Sequence, residues 1–136
     1  MRLLLVGLYV LTASVLTQAQ SPTAKPANGD QQIAGIWRGN STCVVKDSPC
    51  HDEVNVYHIS RIAGKPNSFL VTGSRVVDGN EIVMGTSEWT YDVQKQTLSW
   101  ETAGRIFKLT MKGDKIEGTL ISDGVLYRKI SLHKEK

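Results

Sequence analysis

Residues 105–134 read RIFKLTMKGDKIEGTLISDGVLYRKISLHK and contain three short runs in which apolar and polar side chains alternate. In the first run, Phe107, Leu109 and Met111 share one face, while lysine and threonine side chains occupy the other. A period of two is the pattern of a β-strand with one buried face. Turn residues separate the runs, and the glycine of Asp123-Gly124 accepts the positive φ of a tight hairpin. This segment therefore predicts three consecutive antiparallel strands.

Five further runs of the same kind precede this segment, which makes eight in all. The eight predicted strands lie at residues 33–45, 52–62, 68–77, 81–93, 97–102, 105–112, 115–122 and 125–134. No long stretch has the apolar spacing of a helix. The connections are short, whereas a β-sandwich would need longer crossing connections. An eight-stranded meander can close on itself and pair both of its edge strands. The sequence therefore predicts an all-β fold, an eight-stranded antiparallel up-and-down barrel with room for side chains or one small ligand.

The amino-terminal residues MRLLLVGLYVLTASVLTQAQ have the layout of a secretory signal peptide. Arg2 supplies a short basic region, and an apolar core follows from Leu3 to Leu16. This core is shorter than the roughly 20 residues that span a bilayer, so we expect cleavage rather than a membrane anchor. The expected organisation is a signal peptide at 1–19, a disordered leader at 20–32 and a lipocalin-like barrel domain at 33–134. The mature protein would be secreted or periplasmic.

Charge and motifs narrow the function classes. The chain has 16 basic and 13 acidic residues, a formal net charge of +3. The basic residues are scattered rather than arranged in a stripe with aromatics, so nothing indicates a nucleic-acid partner. No G-x-S-x-G, H-E-x-x-H or phosphate-loop motif is present. We therefore expect no enzyme activity, no cofactor, no metal site and a monomer.

The only two cysteines, Cys43 and Cys50, lie in CVVKDSPCHDE, residues 43–53. Two cysteines in an exported domain most often pair with each other, because exported proteins fold where thiols oxidise. The residues 46–49, KDSP, have the chemistry of a tight turn between strands. A zinc or copper site that includes His51 is an alternative, but C-x6-C is not the usual knuckle spacing. A redox pair would favour C-x-x-C at a helix start. We predict a structural disulfide.

The first and last strands become neighbours when a meander closes, and each carries an unusual inward residue. Trp37 shares the face of Gly35 in the first strand, and Arg128 lies on an otherwise apolar face of the last strand. A buried arginine needs a partner, and a tryptophan ring attracts a cation. We therefore predict that Arg128 stacks on Trp37 and closes the barrel.

Gly35-Ile36-Trp37 together with the late Arg128 resembles the pattern of the calycin superfamily, which includes lipocalins, fatty-acid-binding proteins and avidins. In that superfamily the tryptophan of G-x-W is covered by an arginine or lysine from the end of the barrel. The chain is most similar to small exported lipocalin-like domains of bacteria. The resemblance implies a ligand-binding barrel. Two departures concern helices: we expect none after the eighth strand, and only the KDSPC turn follows the first strand.

Aromatic side chains in the central strands supply the candidate ligand-binding residues. These are Tyr57, Phe69, Trp89, Tyr91 and Trp100. Apolar and aromatic side chains line typical small-molecule pockets, although large aromatics equally fill the core of a small barrel. In the second strand the alternation slips between Val56 and Tyr57, so we expect a bulge that re-aims Tyr57 or His58.

The sequence favours an exported barrel that binds a small apolar or amphipathic ligand in its interior. The alternative is a protein-binding module, such as an exported inhibitor of a hydrolase. That module would use the stapled loop 43–50 and the loop 63–67, since loops on a rigid frame commonly carry binding residues. Exposed apolar side chains would concentrate on loop tips under the second hypothesis and inside the barrel under the first.

Overall fold

The structure is a computed structural model, and it describes residues 32–136. The predicted signal peptide at 1–19 lies outside the described residues, and so does the predicted leader up to residue 31. Between residues 32 and 136, no helix is long and apolar enough to cross a membrane.

Eight antiparallel strands form one closed barrel. They are β1 (Gly35–Cys43), β2 (Glu53–Ile62), β3 (Lys65–Val77), β4 (Asn80–Asp92), β5 (Thr97–Thr102), β6 (Arg105–Lys112), β7 (Lys115–Ser122) and β8 (Val125–Lys134). Each strand pairs with the next along the chain, and β1 pairs with β8 to close the barrel. The predicted all-β, up-and-down barrel is confirmed. In the described part of the chain no helix follows β8.

The observed strand bounds lie close to the predicted ones except at β3, which begins at Lys65 rather than at residue 68. Ala63-Gly64 alone makes the turn before it, because Gly64 adopts a φ of 75° that glycine reaches without steric cost. Pro66 lies near the start of the strand, where its missing N–H is tolerated. The sequence therefore predicted a turn at the right place, but residues 65–67 of the predicted loop belong to β3.

The seam between β1 and β8 is tightly packed. Gly39 lies opposite Leu132, and a Cβ at Gly39 would overlap the backbone carbonyl oxygen of Ser131. Gly118 on β7 is similar, since a Cβ there would collide with the carbonyl oxygen of Lys108 on β6. Glycine is required at these positions because neighbouring main chains approach so closely.

Trp37 closes one end of the barrel, but the cation beside it is Lys134 and not Arg128. The Lys134 Nζ atom lies 5.5 Å from the ring centroid of the fully buried Trp37, whose Nε1 donates to the Ile33 carbonyl oxygen at 2.8 Å. The predicted stack of Arg128 on Trp37 is wrong. The register pairs Trp37 with Lys134 and Cys43 with Arg128, which separates Arg128 from the tryptophan by roughly 20 Å of strand. We call this region, with Gly35 beside Lys134, the closed end.

The predicted bulge in β2 is also wrong. The pairing of β2 with β1 runs without a register shift through Val56 and Tyr57. Tyr57 points inward, and Val56 points outward but is fully buried all the same. The start of β4 reaches this outer face, where the Glu81 carboxylate lies 2.8 Å from His58 Nε2 and 3.2 Å from Arg38. The alternation slips in the sequence because apolar residues on both faces of β2 are covered.

The two sides of β4 differ in their pairing. On the β3 side, a register shift next to Gly73 leaves Met84 as an extra residue beside Gly85. On the other side, β4 pairs with β5 through three residue pairs only, although β4 has 13 residues and β5 has 6. The strands therefore part between residues 80–89 of β4 and 100–102 of β5. We call this opening the β4–β5 gap.

Candidate ligand-binding site

A cavity of about 260 Å³ opens at the β4–β5 gap. Side chains from β2 to β6 border it, because main-chain pairing does not close the barrel there. Its lining consists of Tyr57, Val71, Gly73, Met84, Gly85, Thr86, Ser87, Trp89, Trp100, Thr102, Arg105 and Phe107. A mainly apolar wall with a few polar groups is the usual composition of a small-molecule pocket.

Four aromatic rings form the wall of this cavity. Trp89 and Trp100 are stacked with centroids 5.9 Å apart and an interplanar angle of 18°. Phe107 lies 5.5 Å from Trp89 and 5.7 Å from Trp100, and Tyr57 meets Trp89 edge to face at 6.3 Å. These distances fall in the favourable range for aromatic pairs, so the rings hold one another in place. Ser87 adds a fixed orientation, since Trp89 Nε1 donates to its Oγ at 2.8 Å.

A second cavity of about 270 Å³ adjoins the first and shares Tyr57, Met84, Arg105 and Phe107 with it. The rest of its lining is more polar and consists of Ser41, Glu53, Asn55, Leu120, Tyr127, Arg128 and Ile130. The two spaces therefore form one site with an aromatic lobe, which is the first cavity, and a polar lobe, which is the second.

Arg128 and Glu53 form a shielded charge pair in the polar lobe. Their Nη2 and Oε1 atoms lie 3.7 Å apart, and their side chains are only 13% and 14% exposed. Arg128 Nη1 also donates to the Ser41 carbonyl oxygen at 3.2 Å, and Arg75 approaches Glu53 to 4.0 Å. Arg128 therefore points inward as predicted from the sequence, but its guanidinium contacts Glu53 and Ser41 rather than Trp37.

Tyr57 lies between the two lobes. Burial is the main reason that the pKa of its phenol rises to about 12; the nearby Glu53 also raises it, and Arg128 lowers it. The hydroxyl consequently keeps its proton at neutral pH and is available as a donor. Among residues 32–136 this hydroxyl has no hydrogen-bond partner, although the side chain is only 4% exposed.

Arg105 lies at the mouth of both lobes. It is the first residue of β6 and shares the inward face of Phe107 and Leu109. Its side chain is exposed and makes no ion pair with any residue that the structure describes. Arg105 thus differs from Arg128, because its five N–H donors have no carboxylate partner within residues 32–136.

Three of the five predicted ligand-binding residues line the aromatic lobe: Tyr57, Trp89 and Trp100. The other two, Phe69 and Tyr91, border neither lobe and pack edge to face in the core at 6.0 Å. Of the four residues that border both lobes, sequence reasoning identified Tyr57 and missed Met84, Arg105 and Phe107. Alternation along 105–111 would have placed Arg105 on the same face as Phe107, whereas nothing in the sequence marked Met84 as an inserted residue.

The predicted disulfide between Cys43 and Cys50 is confirmed, with Cα atoms 6.0 Å apart. It closes the turn between β1 and β2, where Asp52 accepts from the backbone N–H of Cys43 at 2.8 Å. Exposed apolar residues on this loop are limited to Val44, whereas Val83 and Met84 at the β4–β5 gap are 63% and 53% exposed. Residues 32–136 contain no group of three or more side chains able to hold a metal ion together.

Comparisons with known proteins support the fold alone. No family model matches the chain, and no curated protein matches it. Among solved structures, the chain is similar to a redesigned beta barrel with a TM-score of 0.54 and 17% sequence identity. That match covers 79% of this chain and 96% of the redesigned barrel. At this identity it agrees with the barrel architecture and carries no information about a ligand.

Proposed function

We propose that the protein binds a small amphipathic molecule with an aromatic or other apolar body in the two-lobed site at the β4–β5 gap. The observation that carries the proposal is an unfilled cavity of about 260 Å³ walled by Tyr57, Trp89, Trp100 and Phe107. Aromatic rings offer large apolar contact area, and an enclosed apolar space favours a ligand over water.

The cavity volumes suggest the size of the ligand. An apolar space of roughly 150 Å³ holds a benzene ring, so the aromatic lobe suits a molecule of one or two rings. The polar lobe adds about 270 Å³ and would take a polar head group. A long-chain lipid is disfavoured because the core beyond Tyr91 and Phe69 is packed.

The cavity supports this function better than the protein-binding alternative does. The stapled loop exposes little apolar surface, whereas the strongly exposed apolar residues Val83 and Met84 lie beside the β4–β5 gap. Membership of the calycin superfamily remains our proposal, supported by Gly35-x-Trp37 with Lys134 as the covering cation. The disulfide supports export to an oxidising compartment, because such bonds are rare where thiols are kept reduced.

Isothermal titration of the folded protein with neutral 2-naphthamide tests the proposal. We expect one-to-one binding that weakens about tenfold in Trp100→Leu, which removes a wall of the cavity, because this corresponds to roughly 1.4 kcal/mol of contact energy. Gly73→Leu should also weaken binding, because the new leucine side chain would occupy the part of the cavity beside Tyr57.

Val125→Leu is the matched control, because Val125 is exposed and lines neither lobe. Binding should be unchanged in that variant. Absence of binding by the wild-type protein, or equal binding by all three variants, would contradict the proposal.

A further inference from the structure

The charges that border the polar lobe leave an excess of positive charge. Arg105, Arg128 and Glu53 are the three charged residues in its lining. Glu53 offsets Arg128, since the two form a shielded pair, and Arg75 adds a further cation on the same carboxylate. Arg105 makes no ion pair with a described residue, although Glu101 and Asp123 lie with it around a third cavity. A ligand head group entering this lobe therefore meets a positive field.

Two donors in the site have no acceptor within residues 32–136. One is the guanidinium of Arg105, and the other is the hydroxyl of Tyr57, which is 4% exposed and borders both lobes. A ligand that places an acceptor in either lobe can take the hydrogen bond that this hydroxyl donates, without breaking a bond to a described residue. The donors of Arg105 and Tyr57 would therefore both be matched by a ligand group that accepts hydrogen bonds.

We propose that the site selects aromatic carboxylates, with the ring in the aromatic lobe and the carboxylate on Arg105 and Tyr57. This inference rests on the proposed function and specifies its ligand class. An ionised carboxylate accepts hydrogen bonds and donates none, which matches two donors that lack partners. The bond from a guanidinium is charge-assisted and therefore stronger than a neutral one.

The aromatic lobe adds to this selection. Trp89, Trp100 and Phe107 surround the ring of a ligand on the same side as Arg105. Apolar walls lower the local dielectric, so the attraction between Arg105 and a carboxylate is stronger than in open water. An aromatic ammonium compound of the same shape would meet two arginines and be rejected.

Three ring-matched probes test the charge selection: 2-naphthoate, 2-naphthamide and protonated 2-naphthylmethylamine. Isothermal titration at neutral pH and fixed ionic strength should give at least tenfold tighter binding of the carboxylate than of the amide, and still weaker binding of the amine. Arg105→Gln should abolish the preference for 2-naphthoate over 2-naphthamide. Tyr57→Phe should weaken the binding of 2-naphthoate several-fold.

Lys108→Gln is the matched control, because Lys108 lies on the same strand with an exposed, outward side chain. Lys108→Gln removes one positive charge, as Arg105→Gln does, but should leave the affinities for all three probes unchanged. Arg105→Lys should restore part of the carboxylate preference. Thermal unfolding of each variant establishes that it is folded, as expected for the exposed Arg105 and Lys108.

The outcomes separate this inference from the proposed function. Equal binding of carboxylate and amide would overturn the inference and leave the aromatic site intact. An equal loss in Lys108→Gln and Arg105→Gln would also overturn it, since the effect would then be one of overall charge. Failure of all three probes to bind would overturn the proposed function, and the inference with it.

Discussion

The closed end and the β4–β5 gap each contain a tryptophan that faces the barrel interior, but the two side chains differ in burial and contacts. Trp37 at the closed end is fully buried, hydrogen-bonded to Ile33 and covered by Lys134. Trp100 at the gap is half-buried and borders a cavity. The same residue type thus closes the barrel in one place and lines a cavity in the other. The difference follows from strand pairing: β1 and β8 are paired at Trp37, whereas β4 and β5 are not paired at Trp100.

Strand pairing differs between the two regions for local reasons. The β1–β8 seam stays paired along seven residues, and Gly39 permits the main chains to approach. At the gap, the short β5 ends at Thr102, because Ala103-Gly104 turn the chain with φ values of 38° and 78°. The extra residue Met84 adds an irregularity to β4 on its β3 side, beyond the point that β5 reaches. A bulge of this kind locally disrupts the ladder and increases the strand twist.

Replacing each tryptophan by alanine tests this comparison with the largest expected effect. Trp37→Ala should lower the free energy of unfolding by about 3–5 kcal/mol, because it empties a fully buried site. Trp100→Ala should cost clearly less, about 1–2 kcal/mol, since part of the ring already contacts solvent. Urea unfolding followed by circular dichroism measures both. Equal losses would show that the gap is packed as firmly as the closed end.

Two glycine substitutions test the seam and the gap at the main chain. Gly39→Ala should destabilise by about 2–3 kcal/mol, because the new Cβ overlaps the carbonyl oxygen of Ser131 and forces the strands apart. Gly85→Ala should change stability by less than about 0.5 kcal/mol, since nothing lies within 4 Å of its Cβ position. Thermal unfolding provides the measurement. A large loss at Gly85 would contradict an open gap.

The architecture could be predicted from the sequence because each strand follows a rule that acts within a few residues. The alternation in 105–112 and the glycine turns needed no knowledge of distant contacts, and β5, β6, β7 and β8 have their predicted bounds. The disulfide also followed from local spacing and its turn. The gap was partly visible too, because the predicted fifth strand is much shorter than the predicted fourth.

Features that depend on register could not be predicted in this way. The choice of Lys134 over Arg128 as the cation on Trp37 depends on how β8 slides along β1, and both residues are basic and lie on β8. Val56 is fully buried on the outer face of β2, where Glu81, distant in sequence, contacts His58 two residues further along the strand. Side-chain periodicity specifies which face a residue occupies but not which residue lies opposite.

The smallest predicted effect concerns the cation at the closed end. A double-mutant cycle between Lys134→Met and Trp37→Phe should give a coupling energy of about 0.5–1 kcal/mol, because an ammonium near an aromatic face is attracted by the ring. The cycle between Arg128→Met and Trp37→Phe should give none, since Arg128 contacts Ser41 and Glu53 instead.

Urea unfolding of the five variant proteins and the wild type supplies both cycles. Arg128→Met alone should still destabilise, because Glu53 loses a partner while it stays largely buried. Coupling of Trp37 to Arg128 but not to Lys134 would mean that β8 pairs with β1 in a different register. The cycle therefore tests the seam itself, whose close pairing distinguishes the closed end from the gap where we propose the ligand site.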